Sequence, residues 1–170
     1  MDPRLNLIYQ RRSVRQFTGV PLPEDTITEL IEAAMAAPSA KNRRPWHFVV
    51  VTDERMRTAI SANHPFAPFA KQAGAVIAVC GGDDHELVQQ DLAAATQNLL
   101  LAAAGLGLGA CWCGMTGERQ PGIRTLLGIP EHVPLCSLVC IGYPKENPEP
   151  RTQFDPERIH WESWRSEQQG

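Results

Sequence analysis

The hydrophobic positions of the chain switch between helical spacing and short unbroken runs. From Ile27 to Met35, apolar side chains recur at intervals of three and four, which predicts an amphipathic helix. The same spacing predicts a short helix after the Asp2–Pro3 cap, one after Asp53 and one that opens at Pro121. Because a helix of this kind hides one face from water, each must pack against another element.

Short apolar runs rich in β-branched residues predict the strands. They cover residues 47–52, 75–80 and 135–143, with a shorter run at 110–113. The first contains the letters FVVV, so we expect a strand covered on both faces. Alternating strands and helices in 170 residues indicate one domain, 1–170, of the α+β or α/β class around a central sheet.

Two segments do not fit a simple surface helix or loop. Residues 84–104 read as a helix whose second half is apolar on nearly every face, so it is central or lies in an interface. The end of the chain, 144–170, is rich in proline and charge, yet a helix-like piece begins at Asp155 and carries Trp161 and Trp164. Large apolar side chains in a tail predict that it docks on another surface.

Charge and cysteine content narrow the classes of function. A net charge of -3 gives no overall basic field for nucleic acid or an anionic membrane. The N-terminus lacks the pattern of a secretory signal, so a cytoplasmic protein is expected, and the most apolar stretch, 99–114, is too short and too rich in glycine for a membrane helix. Five cysteines, four of them in strand-like runs, imply no disulfide framework.

The first candidate site is the stretch RRSVRQF, which holds Arg11, Arg12, Ser13 and Arg15. Guanidinium groups bind phosphate through paired hydrogen bonds, and a serine hydroxyl adds a donor. The alternative is that cations at the end of the preceding helix only meet its negative dipole end. The residues alone favour this second interpretation.

The second candidate is the stretch PSAKNRRPWHF, from Pro38 to Phe48. A serine and an asparagine stand between two prolines just before a strand, so polar groups could be presented rigidly to a ligand. An ordinary connection, with Trp46 and Phe48 entering the core, explains the same letters equally well.

The third candidate is the stretch GLGLGACWCGM, from Gly105 to Met115. It matches the glycine pattern of dinucleotide-binding folds, but here the helix precedes the glycines and the strand follows, so that fold is excluded. Cys111 and Cys113 have no partner pair for zinc, and a redox thiol is a minor possibility. Because strand residues alternate in direction, both cysteines should share one face and Trp112 and Gly114 the other.

No protein group in the sequence stands out as an acid, base or nucleophile. The five histidines, His64 among them, are scattered and read as surface or packing residues. There is no nucleophile elbow, P-loop or HExxH motif, so an enzyme with this sequence would rely on a cofactor for its chemistry.

Four blocks together resemble the FMN-dependent nitroreductase family, in its short-chain form. They are RRSVRQF, PSAKNRRPW, GLGLGACWCG and LGIPEHVPLCSLVCIGYPKENPEPR, in the order and spacing of that family and over nearly the whole chain. The resemblance implies an α+β fold with a central, mainly antiparallel sheet flanked by helices. It also implies an intertwined homodimer with two FMN sites at the subunit interface, the C-terminal segment docking on the partner.

The resemblance also assigns the cofactor contacts. Arg11, Arg12 and Ser13 would contact the phosphate and ribityl chain of FMN, and Arg15 the pyrimidine edge of the flavin, where it would stabilise negative charge. The partner subunit would supply Pro38, Ser39, Ala40 and Asn42. The region of Cys113 and Gly114 would lie against the ring with a backbone N–H directed at its reactive nitrogen, and Arg151 would lie near the phosphate.

The implied activity is the reduction of nitroaromatics, quinones or similar electron-poor acceptors. NADH or NADPH would first give a hydride to FMN, and the acceptor would then take the electrons in a ping-pong sequence, with no protein acid or base required. Specialised flavin chemistry on the same fold, or flavin binding without turnover, are the alternatives. Arg44 stands where the family usually has glutamine, and Lys71 is only a weak match to a lysine that some members place at the flavin. Neither residue is therefore assigned a contact.

Overall fold

The computed structural model of the chain describes residues 2–82, 85–117 and 120–164. Across these residues the α-helices are α1 (Asn6–Gln10), α2 (Glu24–Met35), α3 (Glu54–Asn63), α4 (Val88–Gly105) and α5 (Gln120–Leu127). The strands are β1 (Trp46–Val51), β2 (Ala75–Gly81), β3 (Gly109–Gly114) and β4 (Leu135–Gly142). Single 3-10 turns lie at Pro3–Leu5, Ala40–Asn42, Ala70–Gln72 and Pro156–Arg158.

The strands form one antiparallel sheet in the order β1-β2-β4-β3. This confirms the α+β class with a central antiparallel sheet and excludes the α/β alternative. The two central strands are the two apolar runs that the sequence marks most clearly, and every residue of β2 is buried.

Helices cover both faces of the sheet and divide the core into two clusters. On one face, Leu30, Leu92 and Leu99 of α2 and α4 pack against Ile77, Val139 and their neighbours. On the other, Ile60 of α3 and Ile123 of α5 pack against alternate residues of the same strands. Alternation along β3 places Cys111 and Cys113 in the second cluster and Trp112 against the first, as predicted.

Helix boundaries follow the predicted signals closely. The side chain of Asp53 accepts a hydrogen bond from the Met56 N–H at 2.8 Å, and that of Asp2 caps the first turn through the Arg4 N–H at 2.9 Å. The helix expected over 84–104 begins later, at Val88, because residues 85–87 precede it as a turn. Position 84, where the helix was expected to begin, lies outside the described part of the chain.

Two expectations are wrong in detail. Strand β1 is an edge strand and not one covered on both faces, since Val50 keeps 39% of its surface exposed in the single chain. The helix-like piece at Asp155 is only the 3-10 turn Pro156–Arg158, after which Trp161 and Trp164 stand 72% and 82% exposed. No helix in the described ranges is long and apolar enough to cross a membrane.

Candidate functional site

The segment after α1 crosses one end of the sheet and is tied to it by backbone hydrogen bonds. The Val14 N–H donates to the Ala110 carbonyl of β3 at 2.9 Å, and the Thr18 N–H to the Tyr143 carbonyl beyond β4 at 3.0 Å. A Cβ atom at Gly109 would lie 2.7 Å from the Val14 side chain, so only glycine allows this close approach. Val14 is buried, and the residues on either side of it, Ser13 and Arg15, are exposed.

Three guanidinium groups therefore lie near the first residues of β3. Arg11 and Arg12 are half-buried, Arg15 is exposed, and Arg12 donates a hydrogen bond to the Glu149 carbonyl. Within the described parts of the chain, no carboxylate forms an ion pair with any of the three. A cluster of unneutralised arginines in an acidic protein has the donor chemistry of a phosphate site.

The C-terminal segment brings a fourth arginine to the same end of the molecule. The Arg151 N–H donates to the Tyr9 carbonyl of α1 at 3.3 Å. Residues 149–151 therefore run beside the start of residues 11–15, which we call the arginine block. A cavity of about 360 Å³ opens between this segment and the sheet. Its lining includes Arg12, Gly107, Gly109 and Pro148. The predicted Arg151 thus lies two residues after Glu149, whose carbonyl accepts the hydrogen bond from Arg12.

The helix-end interpretation of these charges accounts for Arg11 at most. Helix α1 has only five residues, and Arg11 is its C-terminal cap, bonded through its N–H to the Leu7 carbonyl at 3.1 Å. A helix dipole acts within the last turn, and Arg15 lies four residues beyond that cap. The structure therefore weakens the interpretation that the residues alone favoured.

The far end of β3 offers backbone donors on the open edge of the sheet. Because the Ala110 carbonyl faces Val14 and not β4, strand alternation turns the peptide groups of Trp112 and Gly114 to the same edge. The Met115 N–H turns back and donates to the Cys136 carbonyl at 3.2 Å, as this alternation requires. A Cβ atom at Gly114 would meet nothing within 4 Å, so a flat group has room to lie there.

Burial and hydrogen bonds disfavour the thiolate forms of the two cysteines behind this edge. The hydrogen bond with Cys113, together with burial, raises the pKa of Cys111 far above its usual range, although Arg15 and Arg11 lower it. The hydrogen bond with Cys111 lowers the pKa of Cys113, but one with Cys140 and burial raise it to about 12. In the described ranges, no group of three histidine, cysteine or acidic side chains is placed to hold a metal ion. A nucleophilic or redox role for these two cysteines is disfavoured.

Slow alkylation is the expected behaviour of the buried thiols. With pKa values of about 11 for Cys80 and about 12 for Cys113, both remain protonated at pH 8, and their thiolate fractions are about 10⁻³ or less. Timed iodoacetamide labelling with peptide mass spectrometry should find the half-exposed Cys136 modified first. Urea-unfolded protein, in which all five react, is the control, and equal labelling of Cys113 in the folded protein would restore the redox interpretation.

The loop of the second candidate is held at several points. The Ala40 N–H donates to the Asp91 carboxylate of α4 at 3.0 Å, and the Arg44 N–H to the Ser39 hydroxyl at 2.9 Å. Lys41, Asn42 and Arg44 all have positive φ angles of 52–54°, which is uncommon for residues other than glycine. The loop is therefore a shaped structure and not a plain connection, and Arg44 points its side chain to solvent.

A single chain does not bring this loop to the arginine block. The loop precedes Trp46 of β1, whose partner in the sheet is Gly81, whereas Ser13 bridges to Ala110 near the start of β3. These are opposite edges and opposite ends of the sheet, separated by three strand spacings, or about 14 Å, and by about 20 Å along the strands. Pro38, Ser39, Ala40 and Asn42 thus lie apart from Arg11, Arg12, Ser13 and Arg15.

Three residues at or near these blocks were not distinguished by the sequence. His64, fully buried, lies with Nε2 3.3 Å from the Gly114 carbonyl oxygen, and Asp91, also buried, anchors the loop. His85 lies beside Asp91, with Nε2 3.3 Å from Oδ2. Lys71 is exposed in the 3-10 turn before β2, and no hydrogen bond or ion pair with another described residue assigns it to a site. The contacts of His64 with Gly114 and of Asp91 with Ala40 join residues 50 and 51 positions apart, so no local pattern marks them.

Comparison with known proteins agrees with this architecture. The profile of the nitroreductase family matches residues 8–64 and 61–143. A relative in Methanothermobacter thermautotrophicus, whose name describes a candidate NADH dehydrogenase/NAD(P)H nitroreductase, is 45% identical over 94% of this chain and 87% of its own.

Two solved structures are similar over almost the whole chain. One, a candidate NADH dehydrogenase/NAD(P)H nitroreductase of Parabacteroides distasonis, is 35% identical with a TM-score of 0.91 and covers 96% of this chain and 100% of its own. The other is the NADPH:FMN oxidoreductase of Vibrio harveyi complexed with NAD+, 26% identical with a TM-score of 0.85, covering 95% and 78%. From the profile match and the shared fold, the chain belongs to the nitroreductase family.

Proposed function

We propose that the protein is an FMN-dependent oxidoreductase that uses NADH or NADPH to reduce nitroaromatics, quinones or similar electron-poor acceptors. The observation that carries the proposal is the set of three arginines without carboxylate partners, beside the glycine-bearing edge of β3. Membership of the nitroreductase family supports it, as does the similarity to an NADPH:FMN oxidoreductase complexed with NAD+.

The residues present fit FMN on chemical grounds. Its phosphate needs strong donors, which Arg11, Arg12 and Ser13 provide, and Arg151 adds charge nearby. Its flat ring needs a surface without protruding side chains and a backbone donor. The open space at Gly114 and the outward N–H groups of β3 supply both. We therefore assign Arg15 to the ring's pyrimidine edge and the Cys113–Gly114 segment to its reactive side.

A second copy of the chain would complete the site. Pro38, Ser39, Ala40 and Asn42 lie far from the arginine block of their own chain, so we infer that the same loop of a second copy supplies them. The loop is already shaped by Asp91 and by its own hydrogen bonds, so little conformational entropy is lost when it meets a ligand. This geometry supports a homodimer with sites formed by both subunits.

The C-terminal segment 144–170 offers the apolar surface that such a dimer would cover. Phe154, Trp161 and Trp164 expose more than 70% of their surfaces in the single chain. Apolar groups of this size are seldom left in water together, so we propose that this part of the single domain packs on the second subunit. A cytoplasmic location stays a prediction from the sequence.

FMN, when bound, supplies the capacity to accept electrons from the nicotinamide and to pass them to the acceptor. The chain's own contribution is binding, orientation and electrostatics. Arg15 carries a positive charge that favours added electron density on the cofactor's pyrimidine side. The raised pKa values of Cys111 and Cys113 disfavour a thiolate role for either residue.

The absorbance spectrum of the purified protein tests the cofactor, and turnover tests the activity. We expect a yellow protein, or a colourless one that takes up added FMN, and bleaching of the flavin bands by NADH or NADPH without air. Addition of a quinone or nitroaromatic should then restore the oxidised spectrum. Protein that binds no FMN would overturn the proposal, and protein that binds FMN but is never reduced would be a flavin-binding protein without turnover.

A further inference from the structure

His64 is the C-terminal cap of α3, and its buried side chain lies beside the Gly114 carbonyl at the end of β3. Its backbone N–H donates to the Ile60 carbonyl at 3.0 Å, which closes the helix, and none of its surface is exposed. The ring then meets two backbone groups. Nδ1 accepts the Phe66 N–H at 3.2 Å, and Nε2 lies 3.3 Å from the Gly114 carbonyl oxygen.

These two contacts define the tautomer of the ring. A carbonyl oxygen can only accept, so Nε2 must carry the hydrogen, and a backbone N–H can only donate, so Nδ1 must carry a lone pair. In this tautomer Nε2–H donates to the Gly114 carbonyl, and Nδ1 holds the turn at Phe66. A buried polar ring with both nitrogens used is a rigid support.

The peptide that His64 contacts is held from both sides. Its carbonyl, that of Gly114, accepts from His64, and its N–H, that of Met115, donates to the Cys136 carbonyl at 3.2 Å. The Met115 carbonyl in turn accepts from the Gln120 side chain at 2.7 Å. Glycine has no side chain to restrict its backbone angles, so the direction of the Gly114 N–H depends on such external contacts.

We propose that His64 is a positioning residue for FMN, which acts by fixing the Gly114 peptide groups at the open edge of β3. The inference rests on the proposed function. In a strand, the N–H and the carbonyl of one residue face the same side, so a ring that holds the Gly114 carbonyl at this edge favours the backbone conformation in which the Gly114 N–H faces it too. That N–H is the donor on the edge where we place the flavin.

Two amide substitutions separate this role from simple packing. His64→Asn leaves an oxygen near the place of Nδ1, able to accept the Phe66 N–H, but is too short to reach Gly114. His64→Gln is longer and places an amide N–H near the position of Nε2. The two variants are both neutral and polar, and they differ in which of the two contacts each can restore.

We expect His64→Asn to raise the Kd for FMN about fivefold, the equivalent of one net hydrogen bond, and to change the ratio of the affinities for reduced and oxidised FMN. His64→Gln should keep both quantities within about twofold of the wild type. Fluorescence titration of apoprotein gives the first, and anaerobic titration with reduced FMN gives the second. Equal behaviour of the two variants, whether both intact or both impaired, would overturn the proposal.

If His64→Asn does not fold, two measurements on the wild-type protein test the positioning role of His64. The ¹⁵N shifts of the ring should show protonation at Nε2, and hydrogen exchange at the Gly114 amide should slow at least about tenfold when FMN binds. A ring protonated at Nδ1, or unchanged exchange at Gly114, would refute the role of His64. Failure of the wild type to bind FMN at all would instead refute the proposed function.

Discussion

Replacing Arg11 and Arg12 together with alanine is expected to weaken FMN binding by about 10²- to 10³-fold. Each guanidinium that bonds a phosphate contributes about 1.5–3 kcal/mol, and we take the lower part of this range because both groups are only half-buried. The loss arises in the phosphate contact, so riboflavin, which has no phosphate, should bind the variant and the wild type with similar affinity. Fluorescence titration of apoprotein with both ligands measures this difference.

A matched control is provided by two other arginines of the chain. Arg4 and Arg158 are exposed and already paired, with Asp2 and Asp155. Their double alanine variant makes the same change in net charge, so a general electrostatic effect would appear in both variants. We expect the control to bind FMN within about twofold of the wild type. If the two double variants lost affinity equally, the arginine block would not be the phosphate site.

Replacing Arg15 with alanine is expected to lower the reduction potential of bound FMN by a few tens of millivolts. A positive charge beside the pyrimidine edge favours the reduced cofactor, and the loss of a charge-assisted bond worth about 1.5–2 kcal/mol corresponds to about 30–45 mV for two electrons. Arg15→Lys keeps the charge without the planar fork, so its potential should fall between the two. Dye-coupled equilibrium reduction measures the potential.

The reduction potential of the Arg15→Ala protein is linked to its affinities for oxidised and reduced FMN. We expect Arg15→Ala to lose more affinity for reduced than for oxidised FMN, because the ratio of these two affinities determines the potential of the bound cofactor. The Arg4→Ala variant, which removes a charge held by Asp2, should leave the potential unchanged. An unaltered potential in Arg15→Ala protein that still binds FMN would show that Arg15 does not stabilise the reduced cofactor.

Local patterns were sufficient to predict most elements of the fold. Asp53 caps α3 and the apolar runs at 75–80 and 135–143 are the two central strands, because caps and buried strands are determined by neighbouring residues. Strand order is not a local property, so the FVVV run was interpreted as covered on both faces although β1 lies at an edge. A single copy leaves Val50 exposed there.

The candidate site was also predictable only in part, because its contacts join residues that lie far apart in the sequence. The letters RRSVRQF gave donors for a phosphate, but the contact of Val14 with Ala110, which aims the arginines, joins positions almost 100 residues apart. The bond of His64 to Gly114 spans 50 residues, and nothing near His64 in sequence indicates it. The resemblance of four blocks compensated for this, since their order carries long-range information that no single block contains.

FMN is proposed to bind between two copies of the chain, held by the arginine block of one and the 38–42 loop of the other. Mixed dimers test it directly. One chain would carry Arg11→Ala and Arg12→Ala, and the other Ser39→Ala and Asn42→Gly, glycine being chosen because Asn42 has a positive φ. Co-expression with two different affinity tags isolates the dimer that contains one chain of each kind.

In such a dimer, one site combines both altered blocks and the other combines both native ones. FMN titration should find weak binding in each parent homodimer and one site of wild-type affinity per mixed dimer. A site built within a single chain would be defective in both subunits. We therefore expect one tight site per mixed dimer, and a mixed dimer without any tight site would show that FMN does not bind between the two chains.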